Sequence, residues 1–316
     1  MAILETGTPT ILFLSEVSDK NWPSALAQAF PEHRVATRLE DADPANTVAA
    51  MVWKHPYGSL SAYRKLRVLI NLGAGVDHIV GDPDLPAGVP IVRLVDPGLT
   101  ARMAEYVLMH CLSLHRRVPE LRAAQAERRW NFIAPVPTSS ACIGILGFGK
   151  LGQACAEQLS KVGFNVIGWK RTPGVAGGYE LHHGQDGLTT FCSRADIVVV
   201  LLPSTESTRN LLDRDVFGRM RKGAALINVG RGDLVVEEDL LATLDEGHLR
   251  HAVLDVFRTE PLPAEHRFWT HPGITITPHN SSATNPATAL AQVSENVRRA
   301  LAGEPLFNRI DPAAGY

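Results

Sequence analysis

Short apolar runs alternate with helix-periodic stretches along almost the whole chain, and this alternation confines the fold to parallel sheets covered by helices. The pattern occurs twice. In a first block, residues 11–14, 35–38, 49–52, 68–71 and 91–94 read as strands, with helical stretches at 22–30 and 59–65. In a second block, residues 143–146, 166–169, 197–202, 225–228, 252–255 and 274–277 are the strand-like runs, enough for a doubly wound sheet.

Two helix-periodic stretches tie the blocks together. Residues 100–117 carry Met103, Val107, Leu108, Cys111 and Leu114 at steps that fit one helix face, and they connect the blocks. Residues 286–301 repeat the pattern with Leu290, Val293, Val297 and Leu301, and such a tail is expected to pack back on the first block. The expectation is an α/β chain of two Rossmann-like domains, each a doubly wound parallel sheet. Residues 102–284 are expected to form one domain inserted into a second, discontinuous and flavodoxin-like domain of residues 1–101 and 285–316. A length of 316 residues agrees with two domains of about 150 each.

Composition narrows the partners. A hydrophobic share of 45% and a charged share of 20% are those of an ordinary globular chain. The net charge of -2 argues against a nucleic-acid partner, because affinity for phosphate backbones comes from clustered Lys and Arg. The longest apolar run, 197–202, is far below the roughly 20 residues of a membrane span, so no membrane partner is expected. The start has no basic segment followed by an apolar stretch, which leaves a cytoplasmic location as the expectation. Cys111, Cys142, Cys155 and Cys192 lack CxxC spacing and read as small buried hydrophobes, so neither a disulfide framework nor a metal site is expected.

The segment ACIGILGFGKLGQ places Gly147, Gly149 and Gly152 in a GxGxxG spacing between a strand-like run and a helix. The first glycine allows the tight turn, the second lets the backbone approach a pyrophosphate, and the third permits close packing of helix on strand. Phe148, Lys150 and Leu151 share this turn, whose helix N-terminus offers N–H groups to phosphate oxygens. An NAD site usually carries Asp or Glu after the second strand, to accept from the ribose 2'-hydroxyl. This chain has Lys170 and Arg171 there. A guanidinium matches a 2'-phosphate, so NADP(H) is the expected cofactor, with NAD(H) as the lesser alternative.

Three later segments each carry one residue suited to a carbonyl beside a carboxylate: INVGRGDLV with Arg231, LDVFRTEPLP with Glu260 and ITPHNSSAT with His279. Each follows a strand-like run, the edge at which doubly wound sheets bind ligands. Arg231 can hold a substrate carboxylate bidentately, and His279 can protonate a nascent alkoxide near neutral pH. Glu260 is expected to orient the imidazole and favour its charged form. His182 and His183 read as part of a polar loop.

In order and spacing, GILGFGKLG, LLPSTESTRNLL, INVGRGDLV, LDVFRTEPLP and ITPH resemble the D-isomer-specific 2-hydroxyacid dehydrogenase family over nearly the full length. Within it the chain is most similar to the glyoxylate/hydroxypyruvate reductase A group, through LGAGVDHI, RLVDPGLTARMAEYVL and the basic pair. The resemblance implies NADPH-dependent reduction of a small 2-oxo acid, glyoxylate or hydroxypyruvate, with Arg231, Glu260 and His279 as the catalytic set. It also implies that Leu202, Pro203, Val229, Gly230 and Asp255 join the cofactor site, Asp255 through the nicotinamide carboxamide. Backbone at Leu72, Gly73, Ala74 and Gly75 would cup the substrate carboxylate beside Trp53, and a homodimer would form through the cofactor domains.

One departure from the family concerns Asn280, Ser281 and Ser282, where small or apolar residues are usual. Ser281 is either a polar contact for substrate or, with its neighbours, a cap for the next helix. Two other functions stay open: reduction of a bulkier, phenylpyruvate-like acid, against which Trp53 and Trp269 would narrow the pocket, and a non-catalytic dinucleotide sensor similar to the corepressors that share the fold.

Overall fold

Strands buried on both faces read as continuous apolar runs, and those runs become the parallel sheets of the computed structural model, which describes residues 7–15, 20–73, 75–174 and 177–310. In chain order the first elements are β1 (Thr10–Leu14), α1 (Trp22–Ala29), β2 (Arg34–Ala36), β3 (Thr47–Val52), β4 (Val68–Asn71), α2 (Asp77–Val80) and β5 (Ile91–Arg93). Next come α3 (Pro97–His115), α4 (Val118–Ala126), β6 (Cys142–Leu146), α5 (Lys150–Lys161), β7 (Asn165–Lys170), β8 (Glu180–His183), α6 (Gly184–Arg194) and β9 (Ile197–Val200). The chain ends with α7 (Arg214–Arg219), β10 (Ala224–Asn228), α8 (Glu237–Asp245), β11 (Leu249–Leu254), β12 (Ile274–Ile276) and α9 (Pro286–Ala302). It divides into two units, Met1–Leu99 with Ala283–Tyr316, and Thr100–Ser282.

The first unit has a five-stranded sheet ordered β2-β1-β3-β4-β5, with every pair parallel. This is the flavodoxin-like order. Successive residues of β1 and β3 enter opposite apolar clusters: Ile11, Phe13 and Met51 on one face, Leu12, Ala50 and Val52 on the other. The helix α9 belongs to this unit, burying Ala289, Val293 and Val297 against Trp22 and Leu26 of α1. Full burial of a side chain such as Val293 or Val297 stabilises by about 1.5–3 kcal/mol, which helps to hold the returning tail on the block from which the chain started.

The second unit has a seven-stranded sheet ordered β12-β11-β10-β9-β6-β7-β8, again all parallel. It is the Rossmann order with one added strand, and the order reverses between β6 and β9. Alternate residues of β6 and β9 again serve two cores, Leu146 and Val200 facing one way, Ile145 and Val199 the other.

Four local expectations fail. Residues 59–65 form no helix: Leu60, Tyr63 and Leu66 are buried at steps of three, and the backbone closes successive i to i+3 turns after Gly58. The run 197–202 breaks at Val200, so Leu202 lies in the loop beyond β9. Residues 180–183 form β8, so His182 and His183 lie on an edge strand and not in a loop; with Leu181 as its one apolar residue the strand gave no apolar run to read. The cap of α9 is Asn285, whose side chain accepts from the Ala287 N–H, and not a serine after His279.

Candidate active site

The three glycines of the GxGxxG turn are required for three different reasons. Gly147 has φ 112°, and a Cβ there would lie 2.8 Å from the Leu201 carbonyl carbon. At Gly152 a Cβ would come within 2.3 Å of the Gly147 carbonyl oxygen, so the helix sits directly on the turn. Gly149, by contrast, has nothing within 4 Å of the position a Cβ would take. That space, above the start of α5 where no side chain caps the helix and no acidic residue fills the first turn, fits a pyrophosphate. Phe148 is buried against Gly168 of β7, and exposed Lys150 and half-buried Leu151 open α5.

Lys170 and Arg171 stand at the end of β7, next to the turn, because the Trp169 carbonyl accepts from both Gly147 N (2.9 Å) and Phe148 N (3.2 Å). The Arg171 guanidinium donates to Ser207 Oγ at 2.9 Å, from the loop that follows β9. That loop carries buried Leu202 and exposed Pro203 and is stitched by Thr208, whose hydroxyl donates to the Pro203 carbonyl at 2.7 Å. Leu202 backbone also lies under Gly230, where a Cβ would meet its carbonyl at 2.8 Å. The loops after β6, β9 and β10 thus meet backbone to backbone where the strand order reverses.

Arg231, Glu260 and His279 follow the C-terminal ends of β10, β11 and β12 respectively. Arg231 comes after buried Val229 and Gly230, and its carbonyl accepts from Asn228 Nδ2 at 2.9 Å. A Cβ on Gly232 would lie 1.9 Å from the Phe257 carbonyl carbon, so the Arg231 segment packs on the one that leads to Glu260. Phe257 N–H in turn donates to Glu260 Oε1 at 2.9 Å. The second oxygen of Glu260 meets His279 Nδ1 at 2.8 Å, with both side chains only partly exposed, at 18% and 24%.

His279 adopts φ 50°, the left-handed region that costs a non-glycine residue about 1–3 kcal/mol. Asp255 holds it there. The His279 N–H donates to the Asp255 carbonyl at 2.8 Å. The Asp255 carboxylate, wholly buried, accepts from Thr277 Oγ1 (2.6 Å), Asn280 N (2.9 Å) and Ser281 N (3.0 Å). Sequence reasoning offered Asp255 to the nicotinamide and Ser281 to the substrate; in the structure the two are bonded to each other beneath the His279 turn.

The remaining expected residues lie in the first unit. Half-buried Trp53 follows β3, its ring 4.6 Å from that of His78 and so close over Gly73 that a Cβ there would fall 2.0 Å from a ring carbon. Leu72 continues from β4, its N–H donating to Val52 O at 3.0 Å and its carbonyl accepting from Thr284 Oγ1. Ala74 lies outside the described residues. Asn71, which sequence reasoning passed over, donates from Nδ2 to Gly73 O (2.7 Å) and Gly75 O (2.9 Å). A polar residue closing an apolar strand was its only signal. Trp269, in the other unit, is half exposed and its indole donates to Pro263 O.

Among the described residues no group of His, Cys, Asp and Glu could hold a metal ion, and no helix is long and apolar enough to cross a membrane. Cys111, Cys155 and Cys192 are buried thiols with burial-raised pKa values, to about 12 for the last two.

Comparison with known proteins agrees with this architecture. A family model described as D-isomer specific 2-hydroxyacid dehydrogenase, NAD binding domain, matches residues 108–281. The glyoxylate/hydroxypyruvate reductase A of Serratia proteamaculans is 38% identical over 303 residues, covering 94% of this chain and 96% of that protein. A D-isomer specific 2-hydroxyacid dehydrogenase from Xanthobacter autotrophicus, solved with NADPH and MES, superposes with TM-score 0.90 at 41% identity over 98% of this chain and 100% of that one. An NADPH-dependent glyoxylate/hydroxypyruvate reductase from Sinorhizobium meliloti, solved with NADP and sulfate, superposes with TM-score 0.88 at 37% identity over 98% of this chain and 100% of that one.

Proposed function

The chain belongs to the D-isomer specific 2-hydroxyacid dehydrogenase family, and from that premise we propose that it reduces glyoxylate and hydroxypyruvate to glycolate and D-glycerate with NADPH. The observation that carries the reading is the His279–Glu260 pair at 2.8 Å, at the ligand-binding edge of a Rossmann sheet and next to the segment that bears Arg231.

Arg231 binds the substrate carboxylate and draws charge from the neighbouring carbonyl, which also fixes the carbonyl carbon in place. Glu260, anchored by the Phe257 N–H, holds Nδ1 of His279, so Nε2 is the nitrogen that delivers a proton to the developing alkoxide. The nicotinamide, when bound, supplies the hydride. Gly147, Gly149 and Gly152 shape the seat for the pyrophosphate, while Lys170 and Arg171 select the 2'-phosphate. The NADPH and NADP of the Xanthobacter and Sinorhizobium structures support that preference.

Leu72, Gly73, Ala74 and Gly75 receive the substrate carboxylate, and Trp53 over Gly73 favours a small acid. The chain acts as a homodimer through its cofactor-binding unit, a reading supported by Trp130, Phe132 and Val136, which are 99%, 80% and 54% exposed on one short segment. The decisive assay follows NADPH oxidation with glyoxylate, hydroxypyruvate and phenylpyruvate, then repeats the panel with NADH. Turnover of the first two, faster with NADPH, is expected. Tight NADPH binding without turnover of any acceptor would overturn the proposal.

A further inference from the structure

Beneath the His279 turn a line of two hydroxyls, one half-buried and one buried, runs back to helix α3. Thr277 donates its only hydroxyl proton to Asp255 Oδ1 at 2.6 Å. Tyr106 of α3 lies 2.6 Å from the same Thr277 oxygen and must therefore be the donor in that contact. Tyr106 is 9% exposed, its ring packs 4.4 Å from that of His110, and burial holds its phenol far above the usual range, so it remains a hydrogen donor throughout the working pH range. The line is Tyr106 to Thr277 to Asp255, and the Asp255 carboxylate also takes the N–H groups of Asn280 and Ser281, the two residues after His279.

We propose that Tyr106 and Thr277 are positioning residues for the reaction: by orienting the Asp255 carboxylate, they hold the left-handed turn that sets the His279 imidazole against Glu260. The inference rests on the reading of His279 as the proton donor. The physical argument is one of over-determination. A left-handed histidine persists only if its surroundings outweigh the strain. Here the Asp255 carbonyl holds the residue itself, while the carboxylate clamps the next two. Two short bonds in series, Tyr106 to Thr277 and Thr277 to Asp255, fix that carboxylate from behind. An error of about 1 Å in the position of a catalytic group slows a reaction about 100-fold, so partial loosening of the turn should be visible in kcat.

The test compares Thr277→Val and Tyr106→Phe with Thr275→Val as control. Thr275 lies two residues earlier on β12 and spends its hydroxyl on His251 Nε2 at 2.9 Å, so its loss removes a comparable part-buried bond without touching Asp255. For Thr277→Val, kcat for glyoxylate should fall at least about 10-fold with the Kd for NADPH within about two-fold, and Thr277→Ser should restore it. Tyr106→Phe should lose about two- to five-fold, and it carries the test if Thr277→Val does not fold. Thr275→Val should lower Tm yet keep kcat within about two-fold.

Each substitution is then repeated in a His279→Ala background. Action through the imidazole predicts no further loss there. An equal loss in both backgrounds, or no loss in either, would overturn the positioning role while leaving the His279 assignment intact. Near-normal turnover by His279→Ala alone would remove that assignment, and the present inference with it.

Discussion

His251 should make the second unit acid-labile, and replacing it with Gln should remove most of that lability. His251 sits on β11, 4% exposed, with Nε2 2.9 Å from Thr275 Oγ1. Burial pulls its pKa down from 6.5 to about 4, assisted by the nearby cations Arg250 and, when protonated, His271 and His110, and opposed by Glu120. The folded protein therefore keeps this imidazole neutral at a pH where the unfolded chain takes up a proton. Stability is full above about pH 6.5, falls as the pH drops through the window between 6.5 and 4, and is lowest below 4.

A difference of that size corresponds to about 3 kcal/mol in total, of which about 2 kcal/mol is lost between pH 7.5 and pH 5. For a unit of this size the loss lowers Tm by about 4–8 °C. Calorimetry of the wild type and His251→Gln across pH 7.5 to 5 measures it: the Gln amide can keep the bond to Thr275 but cannot titrate. His110, lowered by burial as well, contributes in the same direction and leaves a residual slope in the variant. An acid slope unchanged by His251→Gln would refute the reasoning.

Three other outcomes follow from the site. Arg171→Ala should raise the Kd for NADPH by about 10- to 100-fold, the worth of charge-assisted bonds to a phosphate, with NADH binding changed less than about two-fold in fluorescence titrations. His279→Ala should lower kcat by about 100- to 10,000-fold with cofactor affinity kept, as for any lost general acid, whereas Arg231→Ala should impair both kcat and KM, because its cation acts on bound substrate and transition state alike. If the proposed dimer forms through this segment, Trp130→Ser combined with Phe132→Ser should leave only monomer in sedimentation velocity without lowering Tm of the isolated fold, since both side chains are exposed within one chain.

The strands were legible because parallel sheets bury both faces, and so write themselves into the sequence as uninterrupted apolar runs such as 197–200 and 224–227. Where a strand lies at the edge, as β8 does, that signature is lost. The GxGxxG turn was legible because its constraints are local: each glycine answers to an atom within the same short stretch or in the strand beside it. The clamp on His279 was not. Its parts, Tyr106, Thr277 and Asp255, are separated by up to 171 positions and obey no spacing rule, since a buried polar residue is specified by its partner and not by its neighbours in sequence.

The same distribution separates two properties of the enzyme. The Gly-rich turn, the basic pair after β7, Arg231, Glu260 and His279 all belong to the unit Thr100–Ser282, so the proposed hydride and proton chemistry draws its residues from one fold. Trp53, Asn71 and the loop that begins at Leu72 belong to the other. On the proposed assignment, changes in Thr100–Ser282 act on rate and cofactor choice, and changes in the unit that carries Trp53 act on which acid is accepted. Gly73→Ala is the sharpest case: its Cβ would fall 2.0 Å from the Trp53 ring, which must swing away. KM for glyoxylate should rise and bulkier 2-oxo acids should gain ground, while the Kd for NADPH stays within about two-fold of wild type, because no residue of the cofactor seat has moved.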